Sequence, residues 1–392
     1  MKTNNVLCIL AGVLLLASCV WEKTSSPAPV SKSAASRRDI ARMLASLPLE
    51  AEQVGEVYDA VSSSSGNGYD EEYMMSDLLT MPGAGVGDTY LKTSTKASSY
   101  RRPIKDLIEE YLARDLVSST KAGAGDVQAY LNGLMNSGLQ IYWPYSEDWD
   151  GITMPVVTFD PGSGADSNYG YIIAEDDGRY IVTDSVFIDE AVARTRPVWV
   201  INSNDDSGYV PLSSLLKSKA LLDELEAEED DAEQDKYNLY IKDFTMLRNY
   251  DSWFAGGSEF WVKVGAVSAF YAGTEEELKN YTPSVTDFIV VVKRNEIGVK
   301  KHFNALMVTD FSDQIDKIAF LITEDDGGTI TTWKCSTSVK IKSKTWGFDL
   351  EIPLHQYDDI VWRGQLGSSY FRKGREIEGR FGDVMLTFSL EN

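Results

Sequence analysis

The sequence predicts a multidomain α+β protein, with short helices and a small, mostly antiparallel sheet first and an antiparallel β-sandwich last. The chain has 392 residues, and 43% of them are hydrophobic, which is enough for more than one core. Before residue 135, apolar residues recur at helical spacing. After residue 139, short β-branched and aromatic runs alternate with turn residues, as in strands.

Periodicity predicts the N-terminal helices. Ile40, Met43, Leu44 and Leu47 share one helical face, and Pro48 ends this helix. A Ser- and Gly-rich break is expected at 62–68 and a loop at 82–99, because both stretches are rich in turn residues. The remaining helices are expected at 51–61, 71–80, 104–116 and 126–134.

Strands are predicted in two groups, separated by an acidic run. In the first group, the runs 171–174 and 179–182 flank Asp177-Gly178, a dipeptide typical of hairpin turns. The other expected strands of this group are 140–143, 155–159 and 198–201. The second group is expected at 239–244, 259–267, 288–293, 318–323, 340–346 and 386–390, a spacing typical of a β-sandwich.

The acidic run predicts a domain boundary. Seven acidic residues lie between Asp223 and Asp231, and such a run is typical of a solvated linker. The expected organisation is a signal peptide at 1–18, a lipidated flexible tether at 19–38, a helical plus small-sheet domain at 39–222, an acidic linker at 223–235 and a β-sandwich domain at 236–392.

The first nineteen residues predict export and a lipid anchor. Lys2 precedes the apolar run 6–16, which is long enough for a signal peptide and too short for a membrane span. The residues that follow, Leu16-Ala17-Ser18-Cys19, resemble the lipobox of bacterial lipoproteins, in which the cysteine is acylated and becomes the mature N-terminus. The resemblance implies a protein lipid-anchored to the outer membrane through Cys19, with its periplasmic or surface face left open. An ordinary secretory cleavage site is the alternative.

Charge and cysteine content restrict the partners and the means of stabilisation. The net charge of -23 repels phosphate backbones, so nucleic acid is not an expected partner. Of the three cysteines, Cys8 is expected to leave with the signal peptide and Cys19 to carry lipid. Only Cys335 then remains in the mature chain. No internal disulfide is possible on this interpretation, and stability must come from buried apolar surface.

The sequence does not predict an enzyme, and no catalytic residue is assigned. The only two histidines are His302 and His355, and the sequence has no zinc-hydrolase, serine-hydrolase, phosphate-loop or dinucleotide motif. A carboxylate-based hydrolase stays an alternative, because adjacent acids could supply an acid and a nucleophile. The pairs considered are Glu147/Asp148 and Asp358/Asp359.

Two loop tryptophans favour carbohydrate as an alternative partner. Trp149 and Trp253 each lie close to aspartates in a predicted loop, within Asp148-Trp149-Asp150 and Asp251-Ser252-Trp253. An aromatic ring beside carboxylates suits sugar binding, because the ring stacks on the sugar and the carboxylates accept its hydroxyls. Packing of the two rings over a sheet edge is the other interpretation.

One constellation in the C-terminal part resembles the calcium loops of C2 domains. Asp251 lies in a loop before Ser258-Glu259-Phe260-Trp261-Val262-Lys263-Val264, which is similar to the strand that follows the first calcium loop of that family, although Glu259 stands where the family has Asp-Pro. The run Glu324-Asp325-Asp326-Gly327-Gly328 resembles the aspartate-rich third loop. A plain hairpin turn is the alternative for this run. The resemblance implies a C2-like sandwich that binds calcium through Asp251, Glu259, Asp325 and Asp326.

Taken with the lipobox, this pairing of a helical N-terminal region and a C2-like end resembles an uncharacterised family of exported Bacteroidota lipoproteins. The resemblance implies a non-enzymatic cell-envelope lipoprotein with a structural or interaction role, stabilised by calcium. Its expected partners are the membrane, through Cys19, and another envelope protein. A glycan-binding surface lipoprotein and a carboxylate-based hydrolase are the alternatives.

Overall fold

The computed structural model describes residues 36–80, 100–120, 124–162, 164–176, 179–204, 209–216 and 237–392. The signal peptide, Cys19, most of the tether, the loop expected at 82–99, the Asp177-Gly178 turn and the acidic linker lie outside the described residues, so those assignments stay predictions. Within the described ranges, no helix is both long enough and apolar enough to cross a membrane.

Helix α1, Arg37–Ala45, begins the described part of the chain and confirms the predicted apolar face. The Ser36 hydroxyl caps the helix by accepting a hydrogen bond from Asp39 N at 3.1 Å. Ile40, Met43 and Leu44 are buried. The helix begins inside the segment predicted as tether. The other helices are α2 (Ala51–Gly66), α3 (Met75–Leu79), α4 (Ile104–Thr120), α5 (Ala124–Met135) and α6 (Glu190–Ala193).

Two predictions in the helical region are wrong. Helix α2 continues through most of the predicted break at 62–68, because Val61 and Ser64 are fully buried in its last turns. Packing therefore outweighs the modest helix propensity of the serine run. The helix predicted at 71–80 is instead strand β1, Glu72–Met74, followed by α3. Tyr73 of β1 pairs with Ile141 of the neighbouring strand, which fixes the extended conformation.

The N-terminal sheet is small and mostly antiparallel, as predicted. Its other strands are β2 (Leu139–Tyr142), β3 (Val156–Phe159), β4 (Ser167–Asp176), β5 (Arg179–Asp189) and β6 (Val198–Ser203). The strand order is β1-β2-β6-β3-β4-β5, and only β3 and β6 pair in parallel. The helices dock on this sheet, because Val157, Trp199 and Ile201 share one apolar core with residues of α1 and α2.

Most strands lie in the C-terminal part and form two further sheets. They are β7 (Asn238–Met246), β8 (Ser258–Ala266), β9 (Ser284–Val292), β10 (Lys301–Val308), β11 (Ile315–Glu324), β12 (Ile330–Ile341), β13 (Lys344–His355), β14 (Asp359–Gly367), β15 (Ile377–Phe381) and β16 (Val384–Glu391). One sheet has the order β10-β7-β16-β15. The other has the order β13-β12-β11-β8-β9, and β14 pairs with β11. Phe244 of the first sheet and Phe260 and Phe320 of the second share one core. The predicted α+β class is therefore confirmed.

The strand predicted at 340–346 is wrong, because the chain reverses within it. Ile341 pairs with Lys344, and Lys342 between them has φ 58°, a left-handed conformation that suits a tight turn. The resulting β12–β13 hairpin forms one edge of the second sheet. Leu350 and Ile352 of the hairpin share a small apolar cluster with residues of β11.

The N-terminal and C-terminal parts share a core through the loop between β7 and β8. Trp253 and Phe254 of this loop are buried in the same apolar cluster as Tyr142 and Val200 of the N-terminal sheet. The Asn202 side chain donates hydrogen bonds to the carbonyls of Phe254 at 3.1 Å and Ala255 at 2.6 Å. Residues Ala34–Asn392 accordingly form one compact unit, while the predicted boundaries at 222 and 236 stay predictions.

Candidate metal centre

The predicted calcium ligands lie at one end of the C-terminal sheets, where β8 begins and β11 ends. These strands are antiparallel, with Phe260 opposite Glu324, and Asp325 N donates to the Glu259 carbonyl at 2.9 Å. Strand β14 begins at Asp359, also opposite Glu324. The sheet register therefore brings acidic residues from several separate segments of the chain to one edge.

The structure divides three of the four predicted ligands between two clusters. The ligand atoms within each cluster all lie within 4.8 Å of one another. The first acidic cluster consists of Asp251, Glu259 and Glu324. The second cluster consists of Asp325, His355 and Asp358. Asp326 belongs to neither, but partial burial and the nearby Asp251 and Asp359 carboxylates raise its pKa to about 6.

Glu324 is the central residue of the first acidic cluster. Its side chain is 0% exposed, and neither of its carboxyl oxygens has a hydrogen-bond donor among the described residues. Asp251 Oδ2 is also buried without a donor there. Burial raises the pKa of Asp251, and burial together with the Asp251 carboxylate raises the pKa of Glu324 well above its usual range. Two buried carboxyl groups in this position need a shared proton or a cation between them.

The loop between β7 and β8 holds Asp251 against this cluster. Tyr250 N donates to Ser258 Oγ at 3.0 Å, which fixes the loop against the first residue of β8. Arg294 Nη1 donates to the Asp251 carbonyl at 3.0 Å. Glycine is required at residue 257, because a Cβ there would lie 2.6 Å from the Val292 carbonyl oxygen. These contacts fix the main chain around Asp251 and so place its carboxylate at the cluster.

The second cluster is already hydrogen-bonded. Asp325 Oδ2 accepts from Trp261 Nε1 at 2.9 Å, and Asp325 Oδ1 accepts from Gly327 N at 2.9 Å. His355 Nδ1 lies 2.8 Å from the same Oδ1 atom. Burial alone would raise the pKa of Asp325, but these contacts outweigh it, and the pKa is lowered.

The loop that carries Asp325 and Asp326 is open and is not a tight hairpin. Strands β11 and β12 pair only far from this loop, at Ile315 with Val339 and at Lys317 with Ser338. Gly327 and Gly328 have φ of 72° and 97°, and these left-handed conformations let the chain leave β11 at an angle. The carboxylates are therefore presented at an open loop end.

The two tryptophans considered for carbohydrate binding have different environments. Trp253 is 2% exposed, and its Nε1 donates to the Asp166 carbonyl at 2.9 Å, so the ring packs in the core. Trp149 is half-buried, with its ring centroid 5.5 Å from that of Trp143. Its Nε1 donates to the Thr153 carbonyl at 2.9 Å. Trp149 lines a cavity with a volume of about 260 Å³.

This cavity combines hydrogen-bond donors, acceptors and an aromatic ring. Besides Trp149, it is lined by Asp148, Arg194 and Arg196. Arg194 pairs with Glu190 at 3.0 Å. Arg196 Nε is buried and has no acceptor among the described residues. The cavity therefore places guanidinium and carboxylate groups beside an aromatic ring.

The adjacent acid pairs considered for hydrolysis do not present two free carboxylates side by side. Glu147 accepts a hydrogen bond from Asn295, whereas Asp148 lines the cavity. The Asp358 side chain is 0% exposed, whereas Asp359 is an exposed residue. Cys335 is half-buried, and burial raises its pKa to about 11, which disfavours a reactive thiolate.

Comparisons with protein-family models, with curated proteins and with solved structures give no match for this chain.

Proposed function

We propose that the protein is a non-enzymatic lipoprotein of the cell envelope with a structural or interaction role, whose C-terminal sheets are stabilised by calcium at the first acidic cluster. Glu324 carries the calcium part of the proposal. It is fully buried against Asp251, with no donor among the described residues to compensate its charge. A bound divalent cation would compensate both carboxylates at once.

The chemistry of the first acidic cluster favours calcium. Asp251, Glu259 and Glu324 each offer a carboxylate oxygen within 4.8 Å of the others. Calcium takes 6–8 oxygen ligands at about 2.3–2.6 Å, and water can supply those that the protein does not. The C2 resemblance belongs to this proposal, because the loop before β8 and the loop after β11 both reach this end of the sheets. The full burial of Glu324 supports a structural role over hydrolysis, because a substrate has no access to that carboxyl group.

Calcium should raise the stability of the soluble chain, defined here as residues 19–392 with Cys19→Ala. A ligand at about 100 times its dissociation constant adds about 2.7 kcal/mol to the free energy of unfolding, if it does not bind the unfolded chain. The measurement is thermal and urea unfolding in chelator and in millimolar calcium. An unchanged midpoint would contradict the calcium part of the proposal.

The lipid anchor is the second part of the proposal. It depends on the Leu16-Ala17-Ser18-Cys19 motif. Replacing Cys19 by alanine in the full chain should move the protein from the membrane pellet to the soluble fraction after cell lysis. Retention of the variant in the pellet, at the wild-type level, would contradict anchoring through Cys19.

The cavity beside Trp149 favours a second candidate function, glycan binding. Its lining balances two arginines with acidic residues beside the Trp149 ring. This combination fits a neutral sugar, whose hydroxyls both donate and accept. Titrating the soluble chain with glucose, galactose and N-acetylglucosamine should change its tryptophan fluorescence, and Arg196→Gln should abolish that change. No change with these sugars in the unmodified soluble chain would contradict this candidate.

A further inference from the structure

The second cluster differs chemically from the first acidic cluster because it contains an imidazole. His355 Nδ1 lies 2.8 Å from Asp325 Oδ1 and 3.7 Å from Asp358 Oδ1. Imidazole nitrogen with carboxylate oxygen is a ligand set typical of zinc, whereas an all-oxygen set is typical of calcium. Three ligand atoms of the zinc type therefore converge on one point.

Hydrogen bonds from neighbouring residues hold both carboxylates of this cluster in place. Trp261 Nε1 and Gly327 N fix Asp325, and His355 N donates to Asp358 Oδ2 at 2.9 Å. Such outer contacts orient metal ligands in proteins. These two carboxylates consequently do not depend on the metal for their placement.

Asp358 is the observation that points to a ligand. Its side chain is 0% exposed, and its Oδ1 atom is buried without a hydrogen-bond partner among the described residues. The His355 Nδ1 atom lies 3.7 Å from this oxygen, which is too far for a hydrogen bond. One buried carboxylate oxygen therefore faces the His355 imidazole nitrogen without a hydrogen-bond donor among the described residues.

We propose that the second cluster binds zinc through His355 Nδ1, Asp325 Oδ1 and Asp358 Oδ1, with water as the fourth ligand. Ligand atoms of a tetrahedral zinc at about 2.0–2.2 Å stand roughly 3.4 Å apart. The distances from His355 Nδ1 to the two carboxylates, 2.8 Å and 3.7 Å, lie on either side of this value, and all three ligand atoms lie within 4.8 Å of one another. The His355 side chain is 32% exposed, which gives water access to the site. The proposal does not depend on calcium binding at the first acidic cluster.

The two histidines of the chain allow a direct test with zinc chloride. His302 also faces a carboxylate, Asp243, at 2.5 Å, but its side chain is 76% exposed and it belongs to neither cluster. In the soluble chain, held in millimolar calcium, zinc should shift the imidazole NMR signals of His355 and leave those of His302 unchanged. Calorimetric titration of the soluble chain with zinc chloride should give one binding site. Millimolar calcium should not displace the zinc from it.

Matched variants decide between zinc and a simple ion pair of protonated His355. His355→Gln and Asp358→Asn should each weaken zinc binding at least about 100-fold, whereas His302→Gln should leave it unchanged. The calcium-induced rise in stability should persist in His355→Gln, which separates this site from the first acidic cluster. Any one of three results would overturn the proposal. These are zinc binding that survives in both cluster variants, displacement of zinc by calcium, and His355 signals that do not shift with zinc.

Discussion

Replacing Trp253 by alanine should lower the free energy of unfolding by about 3–5 kcal/mol, the usual cost of removing a buried tryptophan side chain. The ring is 2% exposed and fills the core shared by the N-terminal sheet and the β7–β8 loop. Its hydrogen bond to the Asp166 carbonyl is lost as well. Urea unfolding of the soluble chain, followed by circular dichroism, measures this loss.

Phe187→Ala is the matched control, because Phe187 is a large aromatic residue that is 58% exposed. We expect this control to change stability by less than about 0.5 kcal/mol.

Wild type should unfold in a single transition, since Trp253 and Phe254 join the two parts. A loss below about 1 kcal/mol for Trp253→Ala would contradict the buried position of Trp253.

Glu324→Gln should have opposite effects in chelator and in calcium. In chelator, the folded wild type must take up a proton on Glu324 that the unfolded chain does not hold near neutral pH. The glutamine amide can donate to Asp251 Oδ2 without this proton, so stability near neutral pH should rise by about 1–3 kcal/mol. In millimolar calcium, the variant lacks a charged ligand, and the gain of about 2.7 kcal/mol expected for wild type should disappear. Thermal unfolding under both conditions gives the comparison.

The pH dependence of wild type in chelator follows from the same carboxyl group. The folded pKa of Glu324 is raised above its ordinary value of 4.5, so the folded chain binds this proton more tightly than the unfolded chain. The stability that this proton contributes is fully present below pH 4.5 and decreases as pH rises towards the folded pKa. Glu324→Gln should remove this part of the slope.

Glu351→Gln is the control for the change in net charge. Glu351 lies on β13 with its side chain 55% exposed, outside both clusters. The Glu351→Gln variant should keep the calcium response and the pH dependence of stability of the wild type. If Glu324→Gln behaved like this control, Glu324 would not be a calcium ligand.

The sequence predicted the elements whose periodicity reflects burial on one face. Helix α1 and strands β8 and β11 are close to their predicted positions, because their apolar residues face a core directly. The β12–β13 hairpin was missed, since its turn at Lys342 carries no glycine and its strands are largely exposed. Trp253 was predicted in a loop, but a loop position does not reveal that the loop enters another part's core.

The metal centre could be predicted only in part. Asp251 and Glu259 were found through a local motif, because they are close in sequence to the start of β8. Glu324 begins the run 324–328 that resembles the third calcium loop, but its burial depends on the pairing of β11 with β8 and β14. His355 and Asp358 reach Asp325 through the connection between β13 and β14, whose placement requires the sheet register. Long-range pairing of this kind leaves no local sequence signal.

Crystals of the soluble chain grown in calcium, with diffraction data collected at a long wavelength, test the central claim most directly. The account predicts an anomalous peak with carboxylate oxygens of Asp251, Glu259 and Glu324 at about 2.3–2.6 Å from it. A direct hydrogen bond between the Glu324 and Asp251 carboxyl groups, with no anomalous peak at the first acidic cluster, would contradict it.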